Sequence, residues 1–288
     1  MATLDVALYC YPGSLYSSIA RLGLAEKHVR YEERLVDIGP AMRSYAPQYM
    51  RINPRGVVPT LEVRGERITD ATRIIAWVDE HLPGPPLTPA DPSEAQRMRE
   101  WMDRADAIPC RELSYGSLPG PMRPLARYVV QPRRMRLLRR YRARNPELAE
   151  RYDARLRDVE QWTATILDPA AMDALWAQVN GTLDDLEDRL EAQRYVAGSC
   201  FSLADVLWTP ILARLRMLGL DEGFGSRRAV AAYYARMRAR PSFREAEVAE
   251  RVPAGKVARL LAGFLLPRLL VAAALVTALI WALVKAVQ

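Results

Sequence analysis

Residues 53–75, Asn-Pro-Arg-Gly-Val-Val-Pro-Thr-Leu-Glu-Val-Arg-Gly-Glu-Arg-Ile-Thr-Asp-Ala-Thr-Arg-Ile-Ile, constrain the fold more than any other stretch. Residues 60–63 and Arg67-Ile68 read as two short strands. Arg64-Gly65-Glu66 between them is a hairpin turn, with Gly65 free to take positive φ. Pro59 stands at the mouth of the first strand, where a proline need not donate to the ladder. Thr69 or Asp70 then caps a helix carrying Ile74, Ile75 and Val78. From the residues alone this is a hairpin feeding a capped helix, which serves packing whether or not it serves a ligand.

The stretch upstream supplies a sheet for that hairpin to join. Residues 6–11 form a short β run, Pro12-Gly13-Ser14 turns it, and a helix is predicted over 15–28 with Ile19, Leu22, Leu24 and Ala25 on its apolar side. Residues 29–36 read as a second strand, so strand, helix and strand make a βαβ unit with a parallel pair. Residues 41–51 read as a short irregular helix. The order β-α-β-α-β-β-α is the thioredoxin-like one. In it, the N-terminus of the first helix presents unpaired N–H groups and favours anions, a thiolate among them. A free thiol titrates near 8.5, and a hydroxyl donor with a helix end lowers that by about a unit or two. The hydroxyls available are Ser14, Tyr16, Ser17 and Ser18, and Ser14 reads equally as a plain N-cap.

Composition narrows the chemistry. Cys10, Cys110 and Cys200 are the only cysteines and make no Cys-x-x-Cys, which points to a reducing compartment. With His28 and His81 the only histidines, neither a metal site nor a Ser-His-Asp triad is expected. No secretory leader is read in residues 1–6. The formal charge of +7 allows a nucleic-acid or a membrane partner.

The second half reads as helical. Residues 83–92 are a Pro-rich linker, and a helix over 93–113 buries Trp101, Met102, Ala105 and Ile108. Residues 132–144 carry Arg133, Arg134, Arg136, Arg139, Arg140, Arg142 and Arg144. This is a helix lying near anionic lipid, or a solvated helix paired with acids elsewhere; no nucleic-acid-binding motif accompanies it. A charged helix over 147–166 and one opening at Asp168-Pro169 follow. Ser202 caps a further helix, with Asp205 at N3 returning a bond to its backbone and Phe201 and Val206 as a staple, so Asp205 reads as structural rather than catalytic. Residues 269–284 hold no charge between Arg268 and Lys285. Sixteen helical residues span about 24 Å against a hydrocarbon core of about 30 Å. Extension to Val287 with Lys285 snorkelling makes a span, and the basic residues before it place the rest of the chain on the cytoplasmic side. The expected layout is 1–82, linker 83–92, helical 93–252 with an Arg-rich insertion at about 116–166, interfacial 253–267 and a single-pass tail anchor at 268–287.

Leu8-Tyr9, Ser14, Ser17-Ser18, Arg21-Leu22 and Ala25-Glu26-Lys27, then residues 49–53 and Gly56-Val57-Val58-Pro59, resemble the glutathione S-transferase superfamily. Within it they resemble the tail-anchored ganglioside-induced differentiation-associated group, as do residues 195–206, Arg214-Leu215, 218–220, Tyr233-Tyr234 and 240–243. The resemblance implies an α+β protein: a thioredoxin-like α/β N-terminal domain and an all-α C-terminal domain. It implies that Pro59 is cis and that the Val58 backbone holds the cysteinyl part of glutathione. Asp70 and Ala71 would hold the γ-glutamyl end, with alanine where serine is commoner, and Ser14 would activate the thiol. Cys10 lies near where tyrosine-type members keep their tyrosine, and its place inside a strand makes it a poor nucleophile for a reductase. The implied activity is conjugation of glutathione, a co-substrate, to a small electrophile, in a protein of a kind that usually dimerises. The competing class is a non-enzymatic membrane adaptor that keeps the fold.

Overall fold

The computed structural model describes residues 5–39, 41–117, 126–219 and 226–250. The expected interfacial and membrane-spanning segments, 253–287, lie outside these. Among the described residues no helix is long and apolar enough to cross a membrane.

Strand β1 (Val6–Cys10) lies parallel to β2 (Glu32–Leu35), with Ala7 opposite Glu32 and Cys10 opposite Leu35. It runs antiparallel to β3 (Thr60–Val63), which turns back as β4 (Glu66–Thr69), giving the order β2-β1-β3-β4. Arg64 (φ 51°) and Gly65 (φ 86°) are both left-handed, the turn whose twist matches the strands it joins. Helix α1 (Leu15–Glu26) and, beyond the short α2 (Pro47–Ile52), α3 (Ala71–His81) cover one face of the sheet. Their Ala20, Leu24, Ile74 and Val78 meet Val6, Leu8, Cys10, Leu61, Val63 and Ile68. Helix α1 stops two residues short of the expected end because His28 turns left-handed (φ 55°), and β2 begins only at Glu32.

The Pro-rich connection is tied down rather than free. Asp79 accepts from Leu87 N–H (2.8 Å), Thr88 Oγ1 (2.7 Å) and Lys27 Nζ (3.0 Å). Gly84 (φ 131°) lies so close to Lys27 that a Cβ there would sit 2.2 Å from its carbonyl oxygen.

Beyond it come α4 (Pro92–Asp106) and α5 (Cys110–Gly116). The helix expected over 93–113 is two helices, since Pro109 cannot donate to a continuing ladder. Helices α6 (Gln131–Arg144), α7 (Ala149–Leu167), α8 (Pro169–Ala192), α9 (Leu203–Met217), α10 (Arg228–Arg238) and α11 (Pro241–Glu245) complete the described chain. Trp101, Met102, Ala105 and Ile108 are buried as the spacing predicts. Helix α9 is the central one: it packs on α1 and α4, and Trp208 donates its indole N–H to the Trp101 carbonyl (3.1 Å). Asp205 is wholly buried, accepting from Ser202 N–H (2.8 Å) and Oγ (2.9 Å), Val196 N–H (3.0 Å) and Tyr233 OH (2.8 Å). Its role is structural, as the capping motif implies. Most arginines of α6 face solvent; Arg142 pairs with Asp153 and Arg139 with Glu160 (3.5 Å), both on α7.

Candidate functional site

The register brings three sequence-predicted positions to one end of the sheet. Strand β1 ends at Cys10, four residues before Ser14. Tyr9 pairs with Thr60, two residues after Val58, and Thr60 pairs with Thr69, next to Asp70.

Ser14 is the N-cap of α1, extended at φ −75°, ψ 123°. Its Oγ accepts from Ser17 N–H (3.3 Å), and the hydroxyl hydrogen has no acceptor among the described residues. Its neighbours are occupied locally: Ser17 Oγ accepts from Tyr11 N–H (3.2 Å) and Ser18 Oγ donates to the Ser14 carbonyl (3.1 Å). Tyr16 stays partly exposed; desolvation at the domain junction, with Cys110 and Glu112 nearby, lifts its hydroxyl above the usual phenol range.

Val58-Pro59 is cis. The carbonyl of Val57 accepts from Tyr49 OH and Asn53 Nδ2, both at 2.8 Å, and the same two groups hold Thr60 Oγ1 at 3.1 and 3.0 Å. No hydrogen bond from the described residues reaches the Val58 N–H or C=O, although the residue is buried. An extended peptide can pair with that open edge as an added strand does.

Asp70 caps α3 from a left-handed conformation (φ 81°), with Oδ1 accepting from Thr72 N–H (3.1 Å) and Arg73 N–H (3.5 Å). Its Oδ2 meets the exposed Arg55 at 3.3 Å. Ala71 is buried and offers only backbone. Thr72 Oγ1 donates to Asp106 Oδ1 (2.6 Å) from the other domain. Burial raises the Asp106 carboxyl above its ordinary range, and Asp70 and Asp103 add to the rise against the Thr72 bond. Asp70 and Asp106 together give the α3 N-terminus an acidic lip suited to an ammonium group.

Sequence reasoning missed Asp106 and Arg214. Arg214 on α9 donates to the Gly13 carbonyl (2.7 Å), one residue from Ser14. Burial pulls its pKa down, while Cys110, Tyr115 and Tyr16 lie close enough to oppose that. Both reach the site through the domain junction, so neither has a local signature; Arg214 is one of three charged residues on α9, with Asp205 and Arg216.

Cys10 is no competitor. It is buried between Glu33 Oε1 (3.3 Å) and Arg21 Nη2 (3.4 Å), and burial pushes its thiol up to about 11. Among the described residues no group of three or more His, Cys, Asp or Glu could hold a metal ion.

Fold and site together define a thioredoxin-like domain with a polar corner at one end of its sheet, followed by a helical domain. The family model of the glutathione S-transferase N-terminal domain matches residues 13–81, and that of the C-terminal domain residues 169–236. Tetrachloro-p-hydroquinone reductive dehalogenase of Sphingobium chlorophenolicum is 32% identical over 85% of this chain and 96% of its own length. Glutathione S-transferase TCHQD of Arabidopsis thaliana is 30% identical over 83% and 88%. The chain belongs to the glutathione S-transferase family. Human ganglioside-induced differentiation-associated protein 1-like 1 is similar at 26% identity over 84% of this chain and 73% of its own. Among solved structures, the beta-etherase LigF of a Sphingobium strain shares the fold at TM-score 0.65 and 23% identity, covering 84% and 98%.

Proposed function

We propose that the chain binds glutathione and transfers its sulfur to a small electrophile. The Val58 N–H and C=O hold the cysteinyl part, Asp70 with Asp106 holds the amino end, and Ser14 donates its free hydroxyl hydrogen to the thiolate. The N-terminus of α1 adds its partial positive charge. The thiolate sulfur attacks the electrophilic carbon, a C–S bond forms, and the leaving group departs with the electrons of its bond. The reading rests above all on the open Val58 peptide edge at the same end of the sheet as the unspent Ser14 hydrogen. A relative named for acting on tetrachloro-p-hydroquinone supports a small aromatic substrate.

Titration of the bound thiol tests it, read by thiolate absorbance. The Ser14→Ala variant is expected to raise the bound thiol's pKa by about one unit, equivalent to about 1.4 kcal/mol, and to slow conjugation about tenfold. An unchanged thiol pKa would remove Ser14 from the mechanism.

A second reading, a membrane adaptor with no turnover, is favoured by Ala71 and by the charge-free run 269–284. An adaptor has no turnover for Ser14→Ala to slow. Under either reading we place the membrane-spanning segment at 268–287. Alkaline carbonate extraction of membranes carrying the full chain should leave it in the pellet; release would contradict the span.

A further inference from the structure

The arginine-rich helix turns one of its arginines away from its exposed face. Arg134 alone among the arginines of α6 is buried, at 4% exposure. It sits one turn before buried Leu138 and one turn after buried Gln131, on the face turned to α7.

Around it the helical domain has gathered donors and aromatic rings. The Arg134 guanidinium lies over Tyr115 (5.3 Å) and Trp162 (5.1 Å), whose rings are 5.0 Å apart. It donates to Gln131 Oε1 (2.9 Å) and approaches Tyr115 OH (3.4 Å). Arg155 lies over the Tyr45 ring and donates to its hydroxyl (3.3 Å), bringing in the N-terminal domain. Arg111 stacks on the outer side of Trp162 (5.5 Å).

Two imbalances mark this cluster. The first is charge. Arg111, Arg134 and Arg155 are met by Glu112 and Asp158, both of which Arg111 engages, while Arg155 shares Asp158. Arg134 has no carboxylate partner among the described residues. A cation so deeply buried needs a counter-charge. Arg134 and Arg155 in turn hold the buried Tyr45 hydroxyl below the usual phenol range, against the desolvation that would raise it.

The second imbalance is in hydrogen bonding. Among the described residues seven buried side-chain atoms have no partner, and four belong to this cluster: Nε of Arg134, Nε of Arg155, Nε2 of Gln131 and Nε1 of Trp162. All four are nitrogens that can only donate. Native interiors leave few such groups unpaired, and a set composed only of donors calls for an acceptor. Tyr115 of the cluster is within electrostatic reach of Arg214, the residue bound to the Gly13 carbonyl.

We propose that Arg134, Arg155, Gln131, Tyr45 and Trp162 form a receptor for an anionic oxygen group, a carboxylate or phenolate, on a small aromatic molecule entering the domain junction. The guanidiniums supply the charge, and the four unpaired nitrogens supply bonds to the oxygens. The basic helix is then a specificity element, its outer arginines solvated and its one inward arginine reading the substrate's charge. The inference deepens the transferase reading, because it assumes that a small electrophile arrives; glutathione binding is measured separately, so either can fail alone.

The test uses the full chain, calorimetry and a pair of unreactive probes, 3,5-dinitrobenzoate and its methyl ester. The acid is expected to bind about ten- to hundredfold more tightly than the ester, the range of one charge-assisted hydrogen bond or two. Arg134→Gln should erase that preference, and Arg136→Gln, on the exposed face of the same helix, should keep it. Equal affinities in the unaltered protein, or a preference that survives Arg134→Gln, would overturn the proposal. If Arg134→Gln does not fold, Tyr45→Phe decides: it keeps the ring and should cut the preference several-fold, and an undiminished preference would overturn the proposal. Sodium sulfate as competitor separates the sources of the anion. Sulfate binding as tightly as dinitrobenzoate would overturn the aromatic assignment in favour of an inorganic ion.

Discussion

The Ser14 hydroxyl has lone pairs to accept with and one hydrogen to give. The Ser17 N–H occupies a lone pair and completes the cap of α1, which leaves the hydrogen for a thiolate. Under the proposed transferase reading, capping and thiol activation, which compete for Ser14 in the sequence, would use different parts of one group. Two expectations follow at this scale. Ser14→Ala should lose both, so its thermal unfolding should show a cap deficit of about 1 kcal/mol beside the loss of thiol activation. Ser14→Gly, which costs a cap only a few tenths of a kcal/mol, should lose thiol activation with almost unchanged stability. Cys10→Ala should leave conjugation unchanged, because burial keeps that thiol protonated up to about 11. Ser14, Val58 and Asp70 stand out in the sequence as candidates because each lies where an element begins and has a turn, proline or cap signature. Asp106, Arg214 and Arg134 do not. The first two approach from the other domain, and Arg134 is one of seven arginines in fourteen helical residues that differ only in helical phase.

Among the elements, the connection over 83–92 reads in sequence as a Pro-rich linker, and Asp79 ties it to α3 through Leu87 and Thr88. Desolvation alone would raise the Asp79 carboxyl; the bonds from Leu87, Thr88 and Lys27 outweigh it and hold the pKa below the ordinary value. A carboxyl whose pKa is depressed on folding contributes stability above its unfolded pKa, near 3.9, and that contribution is lost as pH falls through the folded value. Acid unfolding followed by circular dichroism should therefore be shallower in Asp79→Asn than in the unaltered protein across that window. Asp79→Ala should cost about 3–5 kcal/mol at neutral pH, because it leaves the buried Lys27 ammonium without its counter-charge. The break between α4 and α5 was legible in Pro109, but the helical pattern on both sides concealed it. The end of α1 at a left-handed His28 carried no signal, since histidine seldom takes that conformation.

Across the whole molecule the two domains are joined by buried and charged contacts that hold the site's two walls together. Arg240 clasps Glu26 through two bonds (2.7 and 2.6 Å), Ser242 adds a third, and Arg21 reaches Glu247 (2.8 Å). Asp205 anchors α9 between them with four donors on one carboxylate. Asp205→Ala strands those donors and should cost about 3–5 kcal/mol in denaturant unfolding, with activity falling as the folded fraction falls. The order of elements and the cap that opens α9 were legible in the sequence, because strand alternation, the proline context and the Ser202–Asp205 cap are local patterns. The junction that assembles the site was not, because its charges meet only after both domains have folded. Whether this site takes glutathione decides between a transferase and a scaffold. Calorimetric titration of the full chain, with thermal unfolding at 100 times the resulting dissociation constant, is the most direct test. The expected result is a saturable heat and about 2.7 kcal/mol of added stability, both abolished by Asp70→Ala. Neither heat nor stabilisation in the unaltered protein would contradict the account and leave the thioredoxin-like domain a scaffold.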